Sequence, residues 1–163
     1  RDRLRGYQEA DETTVLDLNE QFVSVLSALN IGRFAPLRGQ CSLLRIAEVE
    51  GRVAGFLMGF RNGSSYDSIN YQWFAQRFTD FLYIDRVVVG GDFHGQGIAS
   101  RLYRDAIDWS RQNDLGSLVA EIDLEPPNEG SLQFHRKFGF LEVDQLTHSP
   151  GKRVSLQRLA LAT

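Results

Sequence analysis

Cysteine is almost absent from this chain: Cys41 is the only one among 163 residues. No internal disulfide and no cysteine-rich zinc site can therefore form, and the single thiol is no evidence for a catalytic nucleophile. Such cysteine usage suits a reducing compartment, so we expect a cytoplasmic protein. Histidines are also few, and His94, His135 and His148 lack the spacing of metal ligands, so no metal is expected.

Long hydrophobic runs and a strong charge imbalance are missing too. No apolar run approaches the ~20 residues of a membrane span, and no signal peptide is visible in the sequence, which begins at Arg1. The net charge is only −3, too small for a strong attraction to nucleic acid or to an anionic membrane. We therefore expect no nucleic-acid partner and no membrane partner.

The hydrophobic 42% of the chain is enough for one globular core, and we expect a single domain over residues 1–163. Apolar spacing predicts a short strand at 3–7 and then a long amphipathic helix from Ala10 to Leu29. The apolar residues of this helix recur every three or four positions: Val15, Leu18, Phe22, Val25 and Leu29.

Further strands and helices alternate along the rest of the chain. Residues 43–60 predict a hairpin around the turn Glu50-Gly51. The other predicted elements are strands at 81–89, 117–123, 140–147 and 153–160, and helices at 98–111 and 129–138. This order predicts a mixed α/β sheet with helices on its faces.

Two segments leave alternatives open. Residues 30–41 contain glycine and proline and fit either a loop or a short helix. Residues 61–79 start polar and become aromatic, and a connection of this length between strands is often functional. The alternative for 61–79 is a short core helix that caps the sheet edge.

The stretch 91–100, GDFHGQGIAS, joins the predicted strand 81–89 to the predicted helix 98–111. The first N–H groups of a helix lack intrahelical partners, and the helix dipole adds about half a positive charge there. Gly95 and Gly97 let a phosphate oxygen approach the backbone. A Walker-type loop would need a lysine that is absent here, and the position in mid-chain after a hairpin does not suit a dinucleotide fingerprint.

Two sequence blocks resemble the GNAT superfamily of acetyl-CoA-dependent N-acetyltransferases. The run His94-Gly95-Gln96-Gly97-Ile98-Ala99 is similar to its acyl-CoA loop, which has the pattern Arg/Gln-x-x-Gly-x-Gly/Ala after a strand. Residues 128–140, which begin with Asn128 and end with Gly139-Phe140, are similar to its second signature. The order of strands and helices agrees from about residue 3 to 160, so the resemblance covers nearly the whole chain.

The resemblance implies a GNAT-like acyl-CoA N-acyltransferase fold: a central, mostly antiparallel sheet with splayed parallel strands, flanked by helices. It also implies acetyl-CoA or coenzyme A as cofactor, with the pyrophosphate on the glycine loop and the pantetheine arm along an open strand edge at 87–89. The cofactor-binding residues that it implies are Val87, Val88, Val89, Phe93, His94, Gly95, Gln96, Gly97, Ile98, Ala99, Ser100, Asn128, Ser131 and Phe134.

The chain departs from the family pattern at two histidines. His94 stands where arginine or glutamine is usual, and it carries a full charge only when protonated. His135 stands where many members have a tyrosine that is proposed to protonate the leaving thiolate. A histidine could do the same; the alternative is a packing histidine, with water as the proton source.

Acetyl transfer also needs a base, because a protonated amine has no lone pair. Asp85, a lone acid in an apolar strand, is the first candidate. Strand alternation places it on one face with Tyr83, Val87 and Val89 and places Arg86 on the opposite face, so Asp85 and Arg86 are not expected to pair. The second candidates, on the next strand, are Glu121 and Asp123. The alternative for each acid is an ion pair with an arginine.

Aromatic residues are predicted to line the acceptor pocket, through cation–π contact among other means; they are Tyr66, Tyr71, Trp73 and Tyr83. The predicted function is transfer of an acetyl or short acyl group from acetyl-CoA to a primary amine, by direct attack in a ternary complex. The acceptor is a small-molecule or peptide amine. The alternatives are a non-catalytic coenzyme A sensor on the same fold and an unrelated nucleotide binder; a homodimer is left open.

Overall fold

The computed structural model describes residues 2–23, 26 and 29–162. Its strands are β1 (Arg3–Gly6), β2 (Leu43–Val49), β3 (Arg52–Arg61), β4 (Phe81–Val89), β5 (Ser117–Glu125), β6 (Leu141–Ser149) and β7 (Lys152–Ala160). Its α-helices are α1 (Glu12–Glu20), α2 (Ile31–Gln40), α3 (Ile69–Ala75), α4 (Ile98–Gln112) and α5 (Glu129–Phe138). Each predicted strand and helix occurs, and all but the first helix have ends within a few residues of the prediction.

The seven strands form one sheet in the order β1-β2-β3-β4-β5-β7-β6. Every neighbouring pair is antiparallel except β4 and β5, which run parallel. These two strands pair only where residues 81–83 face residues 117–119. Beyond that point they separate and leave one edge of β4 open. The predicted mixed sheet with splayed parallel strands is therefore confirmed.

Apolar side chains fill both faces of the sheet. One face is covered by α1, α2 and α3 and buries Val15, Phe34 and Phe74. The other face is covered by α4 and α5 and buries Leu102 and Phe140. The sheet is thus a middle layer with a core on each side, and the gap between β4 and β5 opens at one end of it.

The first helix is shorter than its apolar spacing predicts. α1 ends at Glu20, and a turn follows at residues 21–23. Phe22 still packs against the core, and Leu29 is buried. Periodicity therefore identified Val15, Leu18 and Leu29 correctly as buried, but it overestimated the length of the helix. Val25, which was also assigned to this helix, lies outside the described residues.

The two segments with undecided predictions, 30–41 and 61–79, each contain a helix with an N-cap residue. The side chain of Asn30 accepts a hydrogen bond from the backbone N–H of Arg33 at 2.9 Å at the start of α2. The Ser68 hydroxyl accepts one from the N–H of Tyr71 at 3.2 Å at the start of α3. These are the bonds expected of N-cap residues. Since Tyr71 and Phe74 of α3 are buried, the core-helix interpretation of 61–79 is the one observed.

Candidate active site

A cavity of about 710 Å³ opens where β4 and β5 separate. Its walls come from the second half of β4, the glycine loop, the first turns of α4, the middle of β5 and the start of α5. Every predicted cofactor-binding residue except Gln96 lines this cavity. The three predicted catalytic residues, Asp85, Glu121 and His135, line it as well. The fold thus brings the two sequence blocks and the candidate acids into one space.

The glycine loop has the backbone that an anion site requires. Gly95 and Gly97 have φ values of 81° and 74°, in the left-handed region that favours glycine. Gly97 is the N-cap of α4 and offers no side chain to bond the first N–H groups of that helix. A Cβ atom added at either glycine would meet no atom within 4 Å. The first turn of α4 is therefore accessible to a ligand's phosphate.

His94 ties this loop to the end of β4. Its Nε2 lies 2.8 Å from the carbonyl oxygen of Val89, and because a carbonyl can only accept, the ring nitrogen donates. The His94 ring also lies 5.9 Å, centroid to centroid, from Phe22. These contacts hold the loop against β4, and a direct contact between His94 and a phosphate stays a prediction.

A β-bulge at Asp85 changes which side chains of β4 share a face. The register with β3 shifts by one residue at this point. As a result Tyr83 packs in the same core as Val88, whereas Val87 and Val89 pack in the core on the other side. The prediction that Tyr83, Asp85, Val87 and Val89 share one face is wrong, because a bulge breaks the strict alternation of a strand.

Asp85 and Arg86 pair directly, and the prediction that they would not is also wrong. Arg86 Nε donates to Asp85 Oδ2 at 2.7 Å, with the two side chains only 3% and 7% exposed. The Tyr66 hydroxyl donates to Asp85 Oδ1 at 2.6 Å, and Arg86 Nη1 donates to the side-chain oxygen of Asn19 at 2.9 Å. Both oxygens of Asp85 are thus engaged, which is the ion-pair alternative rather than that of an available base.

Glu121 is the acid whose surroundings suit proton uptake. The Tyr83 hydroxyl donates a hydrogen bond to its Oε1. Burial raises the pKa of Glu121 to about 8; the Tyr83 bond opposes that shift, and the nearby charge of Asp85 adds to it. A carboxyl group that titrates near neutral pH in a substrate-sized cavity can act as a base at working pH. Asp123 of the same strand also lines the cavity.

His135 is buried, with both ring nitrogens engaged. Its Nδ1 lies 2.7 Å from the carbonyl oxygen of Ser131, and its Nε2 lies 2.6 Å from the hydroxyl of Tyr103. Burial lowers the pKa of His135. Tyr103, from the second turn of α4, lines the cavity too. Sequence reasoning missed Tyr103, since a tyrosine on the apolar face of a helix is more often a core residue.

The four aromatic residues predicted to line the acceptor pocket are not among the cavity-lining residues. Tyr71 is 1% exposed, and its hydroxyl donates to the carbonyl of Arg61 at 2.6 Å. The guanidinium of Arg77 lies over the ring of Trp73, with its carbon 4.2 Å from the ring centroid. Tyr66 and Tyr83 instead hold the two cavity carboxylates through their hydroxyl groups. The apolar wall that sequence reasoning missed comes from the segment after α1, namely Phe22 and Leu26.

Comparison with known proteins decides what kind of site this is. The model of the acetyltransferase (GNAT) family matches residues 7–140, a span that includes the glycine loop and the block at 128–140. The chain belongs to the GNAT acetyltransferase family. The family resemblance read from the two sequence blocks is thereby confirmed.

One sequence relative and several solved structures are similar to this chain. An uncharacterized N-acetyltransferase of Methanocaldococcus jannaschii is 27% identical over 99 residues, which are 61% of this chain and 39% of that protein, so the match spans well under half of the relative. The structure of Ard1 from Thermoplasma volcanium superposes with a TM-score of 0.79 at 17% identity over 99% of both chains. Naa50 of Arabidopsis thaliana, solved with the bisubstrate analogue CoA-Ac-MVNAL, has a TM-score of 0.74 at 16% identity over 98% of this chain and 99% of that one.

The GNAT site fits acetyl-CoA, the predicted cofactor, which family membership confirms. The left-handed glycines and the uncapped start of α4 suit its pyrophosphate, and the edge of β4 beyond Tyr83, which does not pair with β5, suits an extended arm. Among the described residues, no helix is long and apolar enough to cross a membrane. The same residues contain no cluster of side chains that could hold a metal ion.

Proposed function

We propose that this GNAT protein transfers an acetyl group from acetyl-CoA to a primary amine by direct attack in a ternary complex. The observation that carries the proposal is that Glu121, with its raised pKa, lies in the same cavity as the phosphate-binding loop. When bound, acetyl-CoA supplies an activated acetyl thioester. Residues 93–100 would bind its pyrophosphate, the open edge at 87–89 its pantetheine arm, and Asn128, Ser131 and Phe134 its flank.

Glu121 is the base in this proposal, and Asp85 is not. A base needs a free oxygen and a pKa near the working pH. Both oxygens of Asp85 already accept hydrogen bonds, from the Tyr66 hydroxyl and from Arg86, so taking up a proton would break a buried ion pair. Glu121 is held by the Tyr83 hydroxyl through Oε1, which orients the carboxylate while its other oxygen accepts the amine proton directly or through water.

The cavity walls favour a cationic acceptor with an apolar group beside its amine. Glu121 and Asp123 line the cavity together with the apolar Phe22 and Leu26, while Arg86 neutralises the third lining acid, Asp85. The acids attract an ammonium group before its deprotonation. The peptide-bearing analogue bound by the Arabidopsis protein supports a peptide amine as one such acceptor, and a small-molecule amine meets the same requirement. We further propose a cytoplasmic location, in line with the single cysteine.

The experiment is a free-thiol assay with acetyl-CoA against a panel of small amines and peptides, run with wild-type protein, E121Q and E20Q. Glu20 is an exposed glutamate at the end of α1 and serves as the matched control. We expect E121Q to lower kcat by about 100-fold or more, the usual contribution of a general base, and E20Q to leave it unchanged. Since Glu121 must be ionised to accept a proton, kcat/KM should rise with pH up to about 8.

Two results would count against the proposal. Equal activity of E121Q and the wild type would remove Glu121 as the base. Tight coenzyme A binding with no acetyl transfer to any amine would instead indicate the non-catalytic sensor.

A further inference from the structure

The buried ion pair of Asp85 and Arg86 lines the cavity but takes no part in the proposed reaction. The two side chains are only 7% and 3% exposed. Taking two charges out of water is costly, and apolar side chains of similar volume are often at least as stable in such a position. The presence of a buried ion pair in a substrate cavity therefore points to a role beyond stability.

Two neighbouring tyrosines connect the acid of this pair to the candidate base. The Tyr66 hydroxyl donates to Asp85 Oδ1 at 2.6 Å, and the Tyr83 hydroxyl donates to Glu121. The two tyrosine rings pack together, with their centroids 6.3 Å apart. Asp85 and Glu121 lie on the neighbouring strands β4 and β5 and line the same cavity. The acid end of the ion pair is therefore directed toward Glu121.

The cationic end of the pair contacts α1. Arg86 Nη1 donates at 2.9 Å to the side-chain oxygen of Asn19, which is fully buried in that helix. The pair is thus oriented, with the acid on the side of the two tyrosines and the guanidinium bonded to the helix layer. Such a pair is neutral overall, yet it acts on a nearby group as a dipole. A negative end beside a carboxyl group makes the loss of its proton harder.

The other ionisable groups around Glu121 leave Asp85 as the stronger of two acidic influences. Three buried tyrosines interact with its charge: Tyr66, Tyr83 and Tyr103. They are neutral at working pH, because burial raises the pKa of each. His135 of α5, which contacts Tyr103, is neutral too, since burial lowers its pKa. Asp123 raises the pKa of Glu121 less than Asp85 does.

We propose that Asp85 is a positioning residue for proton transfer: held ionised by Arg86 and Tyr66, it makes Glu121 a stronger base and sets the pH range in which Glu121 accepts the amine proton. The proton moves from the attacking amine to Glu121, and Asp85 neither gains nor loses one. A stronger base takes the proton more readily but is ionised only at higher pH. This inference rests on the proposed acetyl transfer with Glu121 as the base.

The matched variants are D85N and D105N. Each removes the acid of an ion pair in which an arginine Nε lies 2.7 Å from an aspartate Oδ2. The pair of Arg45 and Asp105 joins β2 to α4 and is not part of the cavity lining. D85N should lower the midpoint of the acidic limb of kcat/KM by about one pH unit, as expected for one charge near a buried group. D105N should leave the midpoint unchanged.

The weaker base should give D85N a pH profile that crosses that of the wild type. Below the midpoint about tenfold more of Glu121 is ionised, but each ionised carboxylate takes up a proton roughly threefold more slowly. D85N should therefore be about threefold faster than the wild type at acidic pH and about threefold slower at high pH. A merely structural role would slow the variant at every pH. Slower turnover at every pH, or an unchanged midpoint, would overturn the proposal.

A direct titration separates this inference from the proposed function. Carbon NMR of the Glu121 carboxyl group, in protein without substrates and with E121Q to assign the signal, should show a pKa about one unit lower in D85N than in the wild type. A wild type that transfers no acetyl group to any amine refutes the proposed function. The difference between the two titrations still reports the action of Asp85 on Glu121, and identical titrations would refute it.

A second variant covers the case in which D85N does not fold. D85N leaves Arg86 as an unpaired buried charge, whereas the double variant D85N/R86M replaces the whole pair by neutral side chains, a change that proteins often tolerate. The midpoint of the double variant should still lie below that of the wild type, because the acid end of the dipole is lost. An equal midpoint would show that the pair has no net effect on Glu121 and would refute the role of Asp85.

Discussion

The raised pKa of Glu121 predicts an unusual dependence of stability on pH. In the folded protein this carboxyl titrates at about 8, compared with 4.5 for an ordinary glutamate. Between these two pH values the unfolded chain has released the proton and the folded chain still holds it. Stability is therefore full below about pH 4.5 and falls as the pH rises to about 8. From 1.36 kcal/mol per pKa unit, the loss is roughly 3–5 kcal/mol.

E121Q removes this loss. The Gln side chain keeps an oxygen that can accept the Tyr83 bond, but it cannot ionise. The variant should match the wild type at acidic pH and exceed its stability above about pH 8 by roughly 3–5 kcal/mol, a difference of about 10 °C in Tm for a chain of this size. Thermal unfolding across this pH range measures the difference, with E20Q as the control. Parallel curves for the wild type and E121Q would refute the assignment of the raised pKa to Glu121.

Two further predictions concern glycines. G97W should weaken coenzyme A binding by about 100-fold or more in calorimetry, because the new side chain occupies the open space before α4. The control G151W, with a similar φ of 77° and equally open surroundings, should bind coenzyme A normally. Equal binding of coenzyme A by the two variants would contradict the assignment of the glycine loop as the phosphate site. G55A should lower the free energy of unfolding in urea by about 1–3 kcal/mol, since its Cβ would clash with the backbone oxygen of Val88. G6A, where a Cβ meets nothing within 4 Å, should not, and equal stability of the two would show that the strands yield freely.

The cofactor-binding part of the candidate site could be predicted from the sequence because it depends on the backbone conformation of the glycine loop. Gly95 and Gly97 are needed for their left-handed conformation, and such a requirement leaves a glycine at a fixed spacing in the sequence. The same holds at Gly139, the left-handed C-cap of α5 that closes the second block. Strand and helix periodicity then set the order of the elements, and that order opens the sheet between β4 and β5.

The acceptor half could not be predicted in this way, because it depends on side-chain contacts between distant segments. Tyr66 and Tyr83 were expected to touch the acceptor, yet their hydroxyl groups hold Asp85 and Glu121. Tyr103 gave no signal of its own, since its contact with His135 joins two different helices. No local pattern in a sequence records which polar groups will meet after folding.

The bulge in β4 explains why Asp85, the first candidate base, is held in an ion pair. Strict alternation would have kept Arg86 away from Asp85 and left a lone acid facing the cavity. At the bulge Arg86 pairs with Asp85 and also contacts α1, where Asn19 accepts from it. Arg86 then neutralises Asp85, whereas the pKa of Glu121 is raised, with burial as the largest cause. A single inserted residue in one strand thus decides which of two acids on neighbouring strands is held in an ion pair with an arginine.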